Sequence, residues 1–345
     1  MPDQTPLKWG ILGTGKIARK FARAVVETSS AELFSIGSRT GERARGFAEE
    51  FGAERSYASY EELLRDPNVQ AVYISLPNHM HAEWTARTAI AGKHVLCEKP
   101  FTINESEARS TLETVKEARV FFMEAFMYRC HPLTKKIVDL IKDGAVGEVR
   151  LIQASFAYNM GLDYDNIRLS NPAGGGGIMD VGCYPLSMCR LIAGAARNNP
   201  FQNPNEIRGV GHIGEVSRVD QQAAAVLKFT GGLVAQVSAA TQVACDNALR
   251  ICGSEGSLTV PIPWSPPAGT TTMTLNSGKG KTRDIPVESA GSAFNHEINL
   301  LAECVRNGDY EAPSPAMTWA DTIGNMAALD AWRRDIGLVF DGETR

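Results

Sequence analysis

Between Leu7 and Glu124, short apolar runs alternate with amphipathic stretches, and this alternation restricts the fold more than any other feature of the chain. Leu7 to Leu12, Leu33 to Gly37, Ala71 to Ser75, His94 to Cys97 and Val120 to Glu124 read as strands. Stretches ending near Thr28 and covering Gly41 to Phe51, Tyr60 to Arg65, His81 to Ala91 and Ile103 to Ala118 read as helices. Ala71 to Ser75 has no polar alternation, as expected of a strand covered on both faces. Such a strand–helix rhythm builds a parallel, doubly wound sheet, here an N-terminal Rossmann domain over residues 1–126.

The first strand runs straight into Gly13-Thr14-Gly15-Lys16-Ile17-Ala18, a G-x-G-x-x-A turn that opens a helix. Glycines permit the tight turn and a close backbone approach, and the helix N-terminus offers N–H groups to a pyrophosphate. Gly13, Thr14, Gly15, Lys16 and Ile17 are therefore the expected phosphate-binding residues of a dinucleotide site. The second strand ends in Gly37-Ser38-Arg39-Thr40, with Arg43 close behind. A site for NAD usually carries an acid here to take both ribose hydroxyls. A serine and arginines suit a 2′-phosphate instead, so Ser38, Arg39 and Arg43 predict NADP in preference to NAD.

After Phe126 the rhythm changes. A helix near Leu133 to Lys142 precedes a long strand, Glu148 to Ala157, and Gly174 to Gly177 lead into a helix over about Asp180 to Ala193. The runs Ile207 to Ile213, Gln221 to Phe229 and Leu233 to Ala240 read as strands, with Thr230-Gly231-Gly232 as a hairpin turn. Ala248 to Cys252 and Ser257 to Val260 add two more, and Asn276 to Lys281 reads as a surface loop. Two helices finish the chain, near Ala293 to Arg306 and Thr318 to Arg334. On the first, Phe294, Ile298, Leu301 and Val305 share one face, a core-packing pattern. Residues 127–345 are thus expected to form an α+β domain around a large, mostly antiparallel open sheet.

A formal net charge of -4 argues against nucleic-acid partners, and no apolar run approaches the length of a membrane span. The N-terminus shows no basic n-region or small-residue cleavage site, so no signal peptide is expected. The 7 cysteines are scattered without a C-x-x-C pair, which fits reduced thiols in a cytoplasmic protein. His79 and His81 stand two apart and do not aim at one metal, so no metal site is expected.

Four strings fall in order: GTGKIA at 13 to 18, LPNHMH at 76 to 81, EKP at 98 to 100 and IMDVGCYP at 178 to 185. With MEAFMYRCHP at 123 to 132 and GSEGSL at 253 to 258, they make the chain resemble the Gfo/Idh/MocA family of nicotinamide-dependent oxidoreductases over nearly its whole length. The resemblance implies sugar, cyclitol or diol substrates and a homodimer or homotetramer built through the C-terminal sheet. Lys99 would be the family's EKP lysine, at the carboxyl end of a parallel strand, reaching the reacting hydroxyl and the acid–base. Leu76, Pro77, Asn78, His81 and Glu98 would lie along the ribose and nicotinamide, and Arg129 would meet cofactor or substrate unless it forms an internal ion pair.

Where inositol dehydrogenase-like members have D-x-x-x-H, this chain has Asp180 followed four residues later by Tyr184. Tyrosine here resembles the branch with glucose–fructose oxidoreductase, dimeric dihydrodiol dehydrogenases and sugar 1-dehydrogenases. A free tyrosine, with a pKa near ~10, is a poor base at neutral pH. A neighbouring ammonium such as Lys99 would favour its phenolate. Tyr184 is then the expected acid–base, and Asp180 the residue that orients the hydroxyl or the ammonium. Tyr158, Arg168 and His296 are further candidates for the substrate pocket. The expected reaction is NADP-dependent oxidation of an aldose at C1 to a lactone, or the reverse reduction. Alternatives are a trans-dihydrodiol dehydrogenase, a reductase of a modified keto-sugar, and a dinucleotide sensor without catalysis.

Overall fold

A computed structural model describes residues 5–278 and 280–343. The first four residues of the N-terminal stretch in which no signal peptide is expected, and Lys279 in the predicted 276–281 loop, lie outside them. The chain divides into two compact units. The first takes residues up to Thr102, Ser106–Cys130 and Gly291–Thr322, and the second takes Ile103–Glu105, His131–Ala290 and the residues from Ile323 onward.

The first unit contains β1 (Leu7–Leu12), α1 (Lys16–Val26), β2 (Ala31–Gly37), α2 (Gly41–Phe51), β3 (Arg55–Tyr57), α3 (Tyr60–Arg65), β4 (Ala71–Ile74), α4 (His81–Ile90), β5 (His94–Glu98), α5 (Glu105–Ala118) and β6 (Phe122–Ala125). Its strands form one parallel sheet in the order β3-β2-β1-β4-β5-β6. This is the doubly wound arrangement expected, with its switch point between β1 and β4. Trp9 packs edge-on against Phe21 at 5.2 Å, and Phe21 stacks on Tyr73 at 3.8 Å. Each such buried aromatic removes a large apolar area from water, worth about 1.5–3 kcal/mol for a side chain of this class. The sequence reading had no β3. Arg-Ser-Tyr has no apolar run, and it forms a strand because β2 offers an unpaired edge and because Arg55 and Tyr57 both donate to the buried Asp66.

After the second sheet the chain returns to this core. Helix α8 (Ala293–Asn307) starts at a Ser292–Asn295 capping box and stops at Gly308 with φ +78. Ile298 and Leu301 enter the first unit's core beside Ile11 and Phe21, with Phe294 and Val305 against its edge. The predicted face is the packed face, but its partner is the first sheet. The sequence reading gave this stretch to residues 127–345, because helical periodicity records that a face is buried and not what buries it.

The second unit contains α6 (Pro132–Lys142), β7 (Val149–Ala157), α7 (Cys183–Ala195), β8 (Glu206–Ile213), β9 (Asp220–Lys228), β10 (Val234–Ala240), β11 (Leu249–Gly253), β12 (Ser257–Val260), β13 (Gly269–Asn276) and β14 (Thr282–Ser289). The last helix, α9, covers Trp319–Asp335. The sheet order is β14-β13-β12-β11-β7-β10-β9-β8, parallel only between β7 and β10. Gly231 and Gly232, at φ +87 and +86, turn the β9–β10 hairpin as expected. Every residue of α7 is buried, which suits its mostly apolar sequence. β13 and β14 escaped the sequence reading. Their threonines and charges dilute the alternation, and Pro286 argues against a strand; β14 tolerates it because it is the sheet's edge. Among the described residues, no helix is long and apolar enough to cross a membrane.

Candidate active site

In the first unit the phosphate turn, the end of β2, the turn after β4 and the end of β5 all lie at carboxyl ends of parallel strands, where open α/β sheets bind ligands. Gly13 has φ +100, and a Cβ there would lie 2.9 Å from Ser75 Oγ and 3.0 Å from Ser75 O. Only glycine lets the β1 turn pass this close to the β4 turn. A Cβ on Gly15, by contrast, would meet nothing within 4 Å. Gly15 opens α1 with no side-chain cap and no acid in the first turn, so the helix N–H groups are open to an anion. Thr14 is half-buried beside them, Lys16 is exposed and Ile17 half-buried. The turn fits a pyrophosphate.

Ser38 is buried just past β2, while Arg39 and Arg43 are exposed. Thr40 caps α2 by accepting from Arg43 N at 3.4 Å, so that helix start is already served. Leu76 is buried, and Pro77 and Asn78 are half-buried at the β4 turn. At the end of β5, Glu98 is buried, accepts from the Tyr73 hydroxyl, and accepts from Lys99 N at 3.2 Å. The Lys99–Pro100 bond is cis, and the Lys99 side chain is half-buried. Phe101 N donates to Glu124 Oε1 at 2.9 Å, which ties the strand end to β6.

Two expected cofactor contacts are placed otherwise. His81 is fully buried, with Nε2 2.8 Å from Leu76 O and Nδ1 2.9 Å from Pro100 O. It clamps the β4 turn to the EKP turn and has no ring nitrogen to offer a cofactor. Arg129 is fully buried and pairs with Asp321 at 2.6 Å while donating to Pro315 O. Its burial opposes the charge, and Asp321 more than restores it. Arg129 is the internal ion pair, and a buried guanidinium so engaged cannot also reach a ligand.

Burial lowers the His81 pKa to about 4, against the pull of the two carbonyls. The neutral ring has one N–H and satisfies one carbonyl at a time. Because the folded value lies below the unfolded one, the unfolded chain takes the proton first as pH falls. Stability should therefore be lost between pH 6.5 and 4, by up to about 3 kcal/mol from this residue. Urea unfolding of wild type and His81→Asn across that window isolates the effect: the wild type should lose ground against the variant as pH falls. Parallel curves would show that the ring is not held neutral.

In the second unit, Tyr158, Arg168 and Asp180 meet. Asp180 Oδ2 accepts from the Tyr158 hydroxyl and from Arg168 Nε at 3.0 Å. Asp180 holds the Arg168 guanidinium above its ordinary pKa. Asp180 is neither a helix N-cap nor in regular α-helix. It sits in a π turn, Ile178–Gly182, that runs directly into α7, and such turns are frequent at functional sites. Tyr184 follows on the first turn of α7, 7% exposed. Its ring meets Phe156 edge-on at 5.1 Å and Trp264 at 6.2 Å, and those two stack at 6.0 Å. Trp264 is fixed by donating from Nε1 to Ser155 O at 2.7 Å. Neither Phe156 nor Trp264 was singled out in the sequence, since an aromatic in a strand or a proline-rich loop reads as ordinary packing. His296, half-buried on α8, belongs with Lys99 to the first unit, and burial lowers its pKa. Among the described residues, no group of His, Cys, Asp and Glu could hold a metal ion.

Residues 7–126 match the model of the Gfo/Idh/MocA oxidoreductase family, with its NAD-binding Rossmann fold, and residues 134–259 match a C-terminal domain of that family. This chain belongs to the Gfo/Idh/MocA family. It is 32% identical to D-xylose 1-dehydrogenase (NADP(+)) 2 of Haloferax volcanii, over 94% of this chain and 96% of that one. It is 29% identical to the trans-1,2-dihydrobenzene-1,2-diol dehydrogenase of Mus musculus, over 98% and 99%. A 3-ketoreductase from Actinomadura kijaniata, solved with NADP and TDP-benzene, superposes with a TM-score of 0.86 at 27% identity, over 96% of this chain and 98% of that one. As a Gfo/Idh/MocA member the chain is an NAD(P)-dependent oxidoreductase.

Proposed function

We propose that the chain is an NADP-dependent dehydrogenase that oxidises an aldose at C1 to a lactone, or runs the reverse carbonyl reduction. The observation that carries this reading is Tyr184 on an aromatic wall of Phe156 and Trp264, one helical turn beyond an Asp180 held by Tyr158 and Arg168. When bound, the nicotinamide would supply the hydride acceptor. Tyr184 takes the hydroxyl proton as the carbon–hydrogen bond breaks, and returns it to the carbonyl oxygen in reverse. Asp180, already engaged by Tyr158 and Arg168, orients the substrate hydroxyl. Phe156 is half-buried while Trp264 behind it is buried, so the Phe156 ring is the one that suits the C–H face of a pyranose. In the first unit, Gly13 to Ile17 would hold the pyrophosphate, Ser38 and Arg39 would take the 2′-phosphate, Asn78 and Glu98 would contact the nicotinamide riboside, and Lys99 would present its ammonium to the reacting oxygen. We place the enzyme in the cytoplasm as a homodimer or homotetramer. The exposed Val210 and Val226 on β8 and β9 support an interface on the second sheet.

Arg39→Ala tests the cofactor half. Loss of one charge-assisted contact should weaken NADP by about 10- to 100-fold and leave NAD little changed, read by titration of cofactor fluorescence. Equal weakening of both would remove the 2′-phosphate assignment. The reaction is tested by nicotinamide absorbance with NADP and NAD in parallel against free aldoses, inositols and trans-dihydrodiols. Turnover of an aldose with NADP supports the reading. Turnover of a dihydrodiol alone would favour the second reading, for which the same aromatic wall and the 29% identity to a dihydrodiol dehydrogenase speak. Tight NADP binding with no turnover of any of them would overturn the reading.

A further inference from the structure

The turn that carries Asp180 is gripped from behind by a carboxylate that the sequence did not single out. Asp220, the first residue of β9, is fully buried. Its Oδ2 accepts from the N–H of Ile178, the first residue of the π turn, at 2.7 Å. The preceding glycines run against the same group. A Cβ on Gly176 would lie 2.2 Å from Asp220 Oδ1, and one on Gly177 would lie 3.1 Å from Oδ2. Gly176 also has φ +107, which glycine alone adopts without strain. Its N–H donates to Arg168 O at 2.8 Å, and its carbonyl accepts from Asp180 N at 2.9 Å. One short run of backbone is therefore held by Asp220 at one end and carries Asp180 at the other, with the chain of Arg168 bonded alongside.

A helical N-terminus leaves N–H groups unserved, and a side chain just ahead of the helix normally caps them. Here residues 174 to 177 are all glycine, so no local cap exists. The acceptor comes from a different strand. Burying a carboxyl is costly unless hydrogen bonds compensate, and burial pushes this one up to about 7. Arg333 on α9 is the charged group that opposes that shift. Such an expensive group is a poor choice for stability alone, but it ties the turn to the rigid sheet.

We propose that Asp220 is a positioning residue of the active site: by holding the Ile178 N–H against β9, it sets where Asp180 and Tyr184 stand. The inference rests on the reading of those two residues given above. Asp220→Ala should speed amide exchange over residues 178 to 182 about tenfold or more, measured by mass spectrometry without any substrate. It should also lower kcat about 100-fold, as expected for a reacting group displaced by about an ångström, while NADP affinity stays within about twofold. Asp220→Asn keeps an acceptor oxygen and should recover most of both. Unchanged exchange in Asp220→Ala overturns the proposal whatever the activity does. Faster exchange with kcat retained, in an enzyme that Tyr184→Phe inactivates, overturns it as well. If the alanine variant does not fold, Asp220→Leu, which fills the space without an acceptor, carries the comparison, and a change in kcat without a change in exchange sinks the idea. Retained turnover in Tyr184→Phe would instead remove the functional reading, and the exchange data would still report on the grip of Asp220.

Discussion

Tyr184→Phe should lower turnover about 100- to 10,000-fold and change little else. The expectation follows from what the substitution removes and what it keeps. It removes one hydroxyl, the group assigned to proton transfer. It keeps the ring, and with it the edge-on contacts to Phe156 at 5.1 Å and Trp264 at 6.2 Å, so packing in the second unit is preserved. The phosphate turn and the end of β2 lie in the other compact unit, so NADP affinity has no reason to move. Three measurements separate the cases: steady-state kcat by nicotinamide absorbance, NADP affinity by fluorescence, and the thermal midpoint. A large fall in kcat with the other two unchanged supports proton transfer by the phenol. A variant that keeps more than about a third of the wild-type kcat would exclude Tyr184 as the acid–base, because removing a general acid–base normally costs far more. Parallel loss of kcat and thermal stability would point to a structural tyrosine.

The first unit was the more legible in the sequence, for a physical reason. Buried parallel strands read as unbroken apolar runs, and the glycine turn has a spacing that few other structures require. What failed there were side chains whose partners are far away in the chain. His81 was expected beside the cofactor, and Arg129 either beside a ligand or in the internal ion pair it forms; their partners are Pro100, Pro315 and Asp321, and no local pattern announces a partner 19 to 192 residues away. In the second unit the order of motifs pointed to Asp180 and Tyr184, yet the Asp180–Tyr158–Arg168 network, the aromatic wall and the grip of Asp220 depend on sheet register. A strand's alternation records which face is buried, not which loop crosses it. The π turn was invisible for a related reason. The spacing of Asp180 and Tyr184 suits a regular helix, and the bond that grips the wider turn comes from Asp220, 42 residues away.

Lys99→Ala should lower kcat about 100-fold or more, comparable to removing a preorganised electrostatic donor. The backbone around Lys99 is held by groups other than its ammonium. Glu98 is fixed by Tyr73 and by the Lys99 N–H, and Phe101 N is tied to Glu124. Truncation should therefore leave the strand end in place and leave NADP affinity much less affected than Arg39→Ala does. Lys99→Arg keeps the charge but replaces a compact ammonium by a planar fork, so it should recover only part of the loss. The pH profile tells more than the magnitude. A cation that stabilises the anionic form of the acid–base holds its apparent pKa down. Without that cation, the rising limb of kcat/KM should move to higher pH in Lys99→Ala and move back in Lys99→Arg. A lysine that only steers phosphate would weaken NADP and leave the limb where it is. A solvated loop lysine would change neither. If Lys99 and Tyr184 serve one chemical step, the double variant should also be little worse than the poorer single one, since groups that act as a unit are not additive. Fully multiplicative losses with an unmoved pH limb would assign the two residues to separate steps and take Lys99 out of the chemistry.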